Sequence, residues 1–162
     1  MLLYGAILGV LSAIFSFMLY TMDMHYQGGF KVLLISYVLL PLIFMSIGIY
    51  QFKKNNRHLI KFSEGLKIAV GVSLIGGIIT LIYSNILINY IDPNTMEKSI
   101  DYLREVLIDD GRLTMEQIEL RLEAISRSRE PKNQVIGFFI MHIVIGFLLS
   151  LIPAAILKRS ED

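Results

Sequence analysis

The side chains able to do chemistry are few and scattered. His142 lies in the apolar stretch 135–157, which contains no Asp, Glu, Lys or Arg. An ionisable group inside a membrane span is by default a functional candidate, and neutral imidazole can relay protons near pH 7. The other apolar stretches supply no acid to exchange with it, so the expected role is structural, a hydrogen bond to a neighbouring helix. Asn85 and Asn89, four residues apart, invite the same reading. Asp23 and His25 form a D-x-H pair, but two ligands do not make a metal site. DDGRLTMEQIE lacks the alternating oxygen ligands of a calcium loop. Glu64, in FSEGLK, is read as a solvated carboxylate. The chain has no cysteine, hence no thiolate nucleophile and no disulfide. No catalytic, cofactor-binding or metal constellation is assembled. The expectation is a non-enzymatic protein with no cofactor and no nucleic-acid partner.

The elements that must position these groups follow from hydropathy. The chain is 54% hydrophobic and only 18% charged, with a mean hydropathy of +0.61, a balance that ordinary soluble domains do not show. Its apolar residues gather in four stretches, 2–22, 32–50, 68–91 and 135–157, none of which contains Asp, Glu, Lys or Arg. Each is near the ~20 residues needed to cross about 30 Å of hydrocarbon. MLLYGAILGV has no basic residue and LYTMDM no A-x-A pattern, so the first stretch is expected to stay as a helix and not to be cleaved as a signal peptide. The fold class is therefore all-α: a polytopic membrane protein, one membrane domain over 1–162, with four transmembrane helices.

Charge sets the expected orientation. The connection between the second and third stretches carries Lys53, Lys54, Arg57, Lys61 and Lys67, and the tail carries Lys158 and Arg159. Segment 92–132 has seven basic residues set against ten acidic ones. The basic connection and both termini are placed in the cytoplasm, and 92–132 outside, for a multi-pass protein of the inner (cytoplasmic) membrane. Lys53, Lys54, Arg57 and Lys61 are read as contacts to anionic lipid headgroups, each worth about 1 kcal/mol near a charged surface.

Segment 92–132 carries two helical patterns with punctuation. Asp92-Pro93 reads as a helix start, Asp as cap and Pro in the first turn. Met96, Ile100, Leu103 and Leu107 then make one apolar stripe. Gly111 suits a left-handed stop, Thr114 and Gln117 have the form of a capping box, and Met115, Ile118, Leu122 and Ile125 make a second stripe. The expectation is an extracytoplasmic amphipathic helical hairpin whose stripes pack on each other or on the membrane surface. Val106 and Leu120 fall beside the stripes and are the candidates for docking a partner.

Lipid gives no hydrophobic gain for helix association, so small residues that allow close approach mark contact faces. Such faces are Gly5, Gly9, Ser12 and Ser16 in the first helix; Ala69, Ser73, Gly77, Thr80 and Ser84 in the third; and His142, Gly146, Ser150 and Pro153 in the fourth. The second helix is apolar all round apart from Ser36 and Ser46, with a kink expected at Pro41. One compact bundle is the reading, with dimerisation through Gly5 and Gly9 as the alternative.

The order of these parts resembles a family of short inner-membrane proteins of unknown function known mainly from Bacteroidetes. The resemblance rests on YGAILGVLSAIFSFMLY, IYQFKKNNR, FSEGLKIAVGVSLIGGII, the acidic two-helix insert and IPAAILKR, which together cover nearly the whole chain. It implies four membrane helices, no known active site, and an accessory role in envelope glycolipid assembly beside a polyprenyl-phosphate glycosyltransferase. The functional expectation is a non-enzymatic accessory or scaffolding subunit in the lipid bilayer, bound to another inner-membrane protein, such as that glycosyltransferase, or to a second copy of itself. The alternative is a small transporter or channel whose His142 face lines the path.

Overall fold

The computed structural model describes residues 1–128 and 131–159, and every named element among them is helical. The elements are α1 (Leu2–Thr21), α2 (Phe30–Leu34) running through a π-helical turn (Ile35–Leu39) into α3 (Leu40–Asn55), α4 (Phe62–Ile86) ending in a second π-helical turn (Leu87–Ile91), α5 (Thr95–Asp110), α6 (Met115–Ser128) and α7 (Pro131–Leu157). Four helical stretches are long and apolar enough to span a bilayer: Leu2–Thr21, Phe30–Asn55, Phe62–Ile91 and Val135–Leu157. The chain is a multi-pass membrane protein. Arg129 and Glu130, counted above in the hairpin's charge, lie outside the described residues.

The second and third spans run past their apolar stretches at the basic end. Lys53 and Lys54 form the last turn of α3; a cation ends the hydropathy of a helix without ending the helix, and it suits the negative end of the helix dipole. At the start of α4 the carboxylate of Glu64 accepts the Lys61 backbone N–H at 2.8 Å. Glu64 is thus a helix-start ligand rather than a free carboxylate. Arg57 lies between these helices in a left-handed turn (φ 51°), exposed like Lys54 and Lys61.

The second span is bent where the sequence calls for it. Pro41 has no N–H to give the carbonyl one turn earlier, and its ring crowds that carbonyl. The backbone answers with the π-helical turn just upstream, a common way to absorb such a break. Below the turn, α3 packs tightly, with Met45 and Ile49 fully buried. Above it, neither α2 nor the π-helical turn holds a buried residue, and Phe30 is 78% exposed. Half of this span belongs to the bundle and half stands away from it.

The core lies toward the basic end, where Leu8, Met45, Ile49, Ile60, Ile68, Ala69, Val72 and Ala154 cluster. Gly5 and Gly9 bring α1 against α4: a Cβ at Gly5 would meet the Ile75 Cβ at 2.6 Å, and one at Gly9 the Ile79 Cβ at 2.6 Å. Gly146 does the same for α7, lying against the Ser73 side chain, while Ser150 is fully buried and donates to the Phe147 carbonyl at 2.6 Å. The tail is pinned to the basic connection by a two-bond antiparallel bridge: Ile60 N–H to Arg159 O at 2.8 Å, and Arg159 N–H to Ile60 O at 2.9 Å.

The hairpin folds with the punctuation of its turn in place. Gly111 ends α5 in the left-handed region (φ 65°), which only glycine adopts without steric cost. Thr114 and Gln117 exchange hydrogen bonds, the Thr114 N–H to Gln117 Oε1 at 2.9 Å and the Gln117 N–H to Thr114 Oγ1 at 3.3 Å. Ile118 and Leu122 are buried, but Met115, expected on the same stripe, is 58% exposed. It is the first residue of α6, too near the end to be covered by α5. The expected start of α5 is also corrected. The helix begins at Thr95, with Asn94 at the cap position and no side-chain cap bond; the Asp92 carboxylate is engaged elsewhere.

Candidate functional site

Because the upper half of the second span stands off, a cleft opens beside α1, α4 and α7 and beneath α6. Its volume is about 1040 Å³, at the upper end of small-molecule pockets. The deep end is formed by Leu8, Ser73, Gly146 and Leu149, and the mouth by His25, Gly28, Arg127, Ser128 and Asn133. Along α4 the lining runs from Ser73 to Ser84, a length of about 16 Å at 1.5 Å per residue. The small residues therefore do two jobs. Gly5, Gly9 and Ser150 close helix contacts, whereas Ser12, Ser16, Ser73, Gly77, Thr80 and Gly146 also line the cleft.

The polar lining is uncharged within the spans. Thr80 Oγ1 donates to Gly76 O on its own helix at 3.0 Å. Ser12, Ser36 and Ser84 are half-buried and line the cleft, and among the described residues their hydroxyls bond to no protein group.

His142 also lines the cleft, but the expected bond to a neighbouring helix is not what the structure shows. Its Nδ1 pairs with the Phe138 carbonyl of its own α7 at 3.0 Å. That carbonyl can only accept, so Nδ1 carries the proton and Nε2 is left as an acceptor. The ring lies against Gly77, where an added Cβ would stand 2.6 Å from Nε2, and near the Phe138 and Tyr37 rings, with centroids at 4.2 and 6.4 Å. The link to α4 is steric. The correction for Asn85 and Asn89 is similar: their amides donate to Leu81 O at 3.0 Å and Asn85 O at 2.8 Å, and both residues, one in α4 and the other in the π-helical turn that follows it, are exposed. A helix in lipid offers every polar side chain a nearby carbonyl of its own, and these three residues take it.

At the mouth is a polar node that the sequence reading did not assemble. Asp92 Oδ2 receives the Lys98 ammonium at 2.9 Å and faces His25 Nε2 at 3.2 Å. Its Oδ1 accepts the Asn94 N–H at 3.3 Å. Thr95 Oγ1 donates to the Asp92 carbonyl at 2.8 Å, so its proton is committed. His25 Nε2 therefore carries a hydrogen, shared between Asp92 Oδ2 and Thr95 Oγ1 at 3.1 Å. Its Nδ1 is buried with no partner among the described residues. The ring is held edge-on by Tyr20 and Tyr26, at 5.2 and 5.3 Å, and Tyr26 reaches Tyr102 of α5. Asp23, the other half of the D-x-H pair, approaches Lys98 at 3.9 Å and does not join the His25–Asp92 contact. The hydrogen bond from Lys98 holds the Asp92 carboxyl below the usual carboxylate range, and the same bond raises Lys98. The node ties the α1–α2 loop to the root of the hairpin. Asp92 and His25 were legible one by one, but not as a pair 67 residues apart.

A family model described as "Protein of unknown function (DUF4199)" matches residues 3–159, essentially the whole chain. The chain belongs to the DUF4199 family. No curated protein and no solved structure matches it. In this DUF4199 chain the matched region covers the bundle, the cleft and the hairpin alike. Among the described residues no three His, Cys, Asp or Glu side chains gather to hold a metal ion.

Proposed function

We propose that this protein is a non-enzymatic ligand-binding subunit of the inner (cytoplasmic) membrane, holding an amphiphilic molecule in the cleft between its helices. The cleft itself carries the reading: about 1040 Å³ of space bounded by apolar side chains, with a few converging polar groups, is the usual make-up of a small-molecule site. The basic connection and both termini are cytoplasmic on the charge rule, so the hairpin and the mouth face outward. Val106 and Leu120 are 43% and 61% exposed on the hairpin and offer an apolar contact to another membrane protein, with a glycosyltransferase of envelope glycolipid assembly and a second copy of the chain as the candidates.

The test is to purify the protein in mild detergent and weigh it intact by native mass spectrometry, with lipid extraction of the same sample. The expected result is a retained amphiphile that is lost when Ser84→Phe fills the cleft. Equal lipid content in the two proteins would overturn the reading. A second reading, a small transporter, is favoured by one observation: His142 and the hydroxyls line a passage from the mouth to mid-bundle. Fully buried Met45, Ile49 and Val72 lie below it, so transport would require this core to part. Movement of the retained molecule between the leaflets of reconstituted vesicles would select that reading over simple binding.

A further inference from the structure

The cleft's electrostatics narrow its ligand. The membrane-spanning lining contains no Asp, Glu, Lys or Arg, and its polar members are hydroxyls and the His142 imidazole. An anionic headgroup placed there would lose its water and meet no cation, and an inorganic cation would meet no carboxylate; a buried charge without a partner is strongly disfavoured. Arg127 borders the mouth, but its guanidinium pairs with Glu123 at 2.6 Å and its side chain is 72% exposed. The Lys98 ammonium is engaged by Asp92, as is His25.

Among the described residues lining the cleft, the groups with capacity to spare are neutral. The Ser12, Ser36 and Ser84 hydroxyls make no hydrogen bond within the protein among the described residues, and each can donate one and accept two. They come from three different spans, so a single bound molecule can be gripped from three sides.

We propose that the cleft selects an electrically neutral amphiphile bearing hydroxyl groups, of the acylglycerol or glycosyl-acylglycerol class, over phosphate-bearing lipids of the same chain length. This rests on the reading of the cleft as a ligand site. The hydroxyls of such a molecule meet the serines, while its acyl chain lies along Leu8, Phe15, Ile145 and Leu149 and out through the gap beside α2. Among the described residues of the cleft, a phosphate held between the spans would gain no ion pair to replace its hydration.

The experiment uses two probes that differ only at the headgroup, a monoacylglycerol and the lysophosphatidate of the same acyl chain, each radiolabelled. Binding is measured to the full-length protein in a neutral detergent. Three proteins are compared: wild type, Ser12→Ala/Ser36→Ala/Ser84→Ala, and Ser36→Phe. The last residue lies in the π-helical turn, where the span stands free, so the bundle is expected to keep its melting temperature. The expected result is at least tenfold tighter binding of the monoacylglycerol to wild type, a preference cut to less than threefold by the triple alanine change, and loss of both probes in Ser36→Phe. Equal or tighter binding of lysophosphatidate would overturn the neutral-ligand inference while leaving the cleft a lipid site. No saturable binding of either probe, together with no retained amphiphile in the purified protein, would overturn both.

Discussion

His25 and Asp92 meet at 3.2 Å, although 67 residues and two membrane spans separate them along the chain. Through this contact the loop after the first span is fastened to the root of the hairpin, at the mouth of the cleft. Asp92→Asn keeps the shape but removes the charge that receives both Lys98 and His25. Hydrogen exchange at neutral pH is expected to quicken in 22–30 and 92–98, with the deep helices unchanged. The acid behaviour of the wild type follows from the same carboxylate. Its folded pKa lies below the ordinary value, so its contribution is present above that value, about 4, and is lost as pH falls through the lowered folded value. Lys98 is raised, so its contribution is present below the ordinary value, about 10.4, and is lost as pH rises through the raised one. Exchange in these two segments should therefore stay slow between about pH 4 and pH 10 once corrected for intrinsic rates. A wild-type profile matching that of Asp92→Asn would remove the node's role.

Gly5 brings α1 within reach of α4, and there is no room for a side chain. Leucine there must push Ile75 and the backbone carbonyl of Val72, each within about 3 Å of the added Cβ. Overpacking of this kind costs roughly 1–3 kcal/mol, at times more. Gly137 is the control, because no described residue lies within 4 Å of its added Cβ. Gly5→Leu is expected to lower the detergent melting temperature by several degrees and Gly137→Ala to leave it nearly unchanged. Similar melting of the two variants would show that the α1–α4 contact is not closely packed.

Gly77 and His142 offer a direct measure of coupling between α4 and α7. Gly77→Ala places a methyl into the imidazole, so the single change should destabilise by ~1–3 kcal/mol. Once the ring is gone, as in His142→Ala, that clash is relieved and only the Phe138 ring edge, 2.8 Å from the added Cβ, has to shift. The double change should therefore cost less than the sum of the two, by roughly 0.5–3 kcal/mol. His142→Gln should preserve folding, since Gln can also donate to the Phe138 carbonyl. Ligand retention by His142→Gln then separates positioning from protonation: full loss of function in a stable protein would favour the proton-relay role.

The spans were legible because hydropathy is a property of composition, and lipid demands about 20 apolar residues whatever the neighbours are. The hairpin's turn was legible because Gly111 and the Thr114–Gln117 pair act within one turn of themselves; its start was not, since Asp92 is drawn to His25 and Lys98. The cleft was not. Ser12, Ser16, Ser73 and Gly77 were read as contact faces, and small residues look the same in sequence whether another helix or empty space lies opposite. What separates the cases is the direction of Phe30–Leu34, set by the π-helical turn before Pro41. The proline predicts a break but not its sense. The bond of His142 was likewise assigned to the wrong helix, because sequence spacing cannot rank a distant partner against the carbonyl four residues back.

Orientation is open to a labelling test. Single cysteines at Ser126, exposed on α6, and at Asn56, exposed at the end of α3, report opposite sides of the bundle. Ser99 is unsuited to this, being buried. In cells with a permeabilised outer barrier and an intact cytoplasmic membrane, an impermeant maleimide should label Ser126→Cys and spare Asn56→Cys. The reverse pattern would invert the topology and place the mouth of the cleft in the cytoplasm.

The hairpin's outer face provides the last test. Ile118 and Leu122 are buried at 1% and 3%, whereas Val106 and Leu120 are 43% and 61% exposed. The first pair holds the hairpin together, and the second has surface left over for a partner. Changing both Val106 and Leu120 to Glu should leave the melting temperature within about 2 °C of wild type, since exposed surface changes usually fall within ±0.5 kcal/mol. The same change should abolish co-purification of a membrane partner or of a second, differently tagged copy, because a charge forced into a desolvated apolar contact costs several kcal/mol unless it is paired. Ile118→Glu is the contrast: it should unfold the hairpin and lower the melting temperature outright. If the double Glu variant melts early, Val106 and Leu120 belong to the hairpin's own packing. If melting and association are both unchanged, the hairpin is a cap over the cleft and no docking element, and the subunit reading would then rest on the cleft alone.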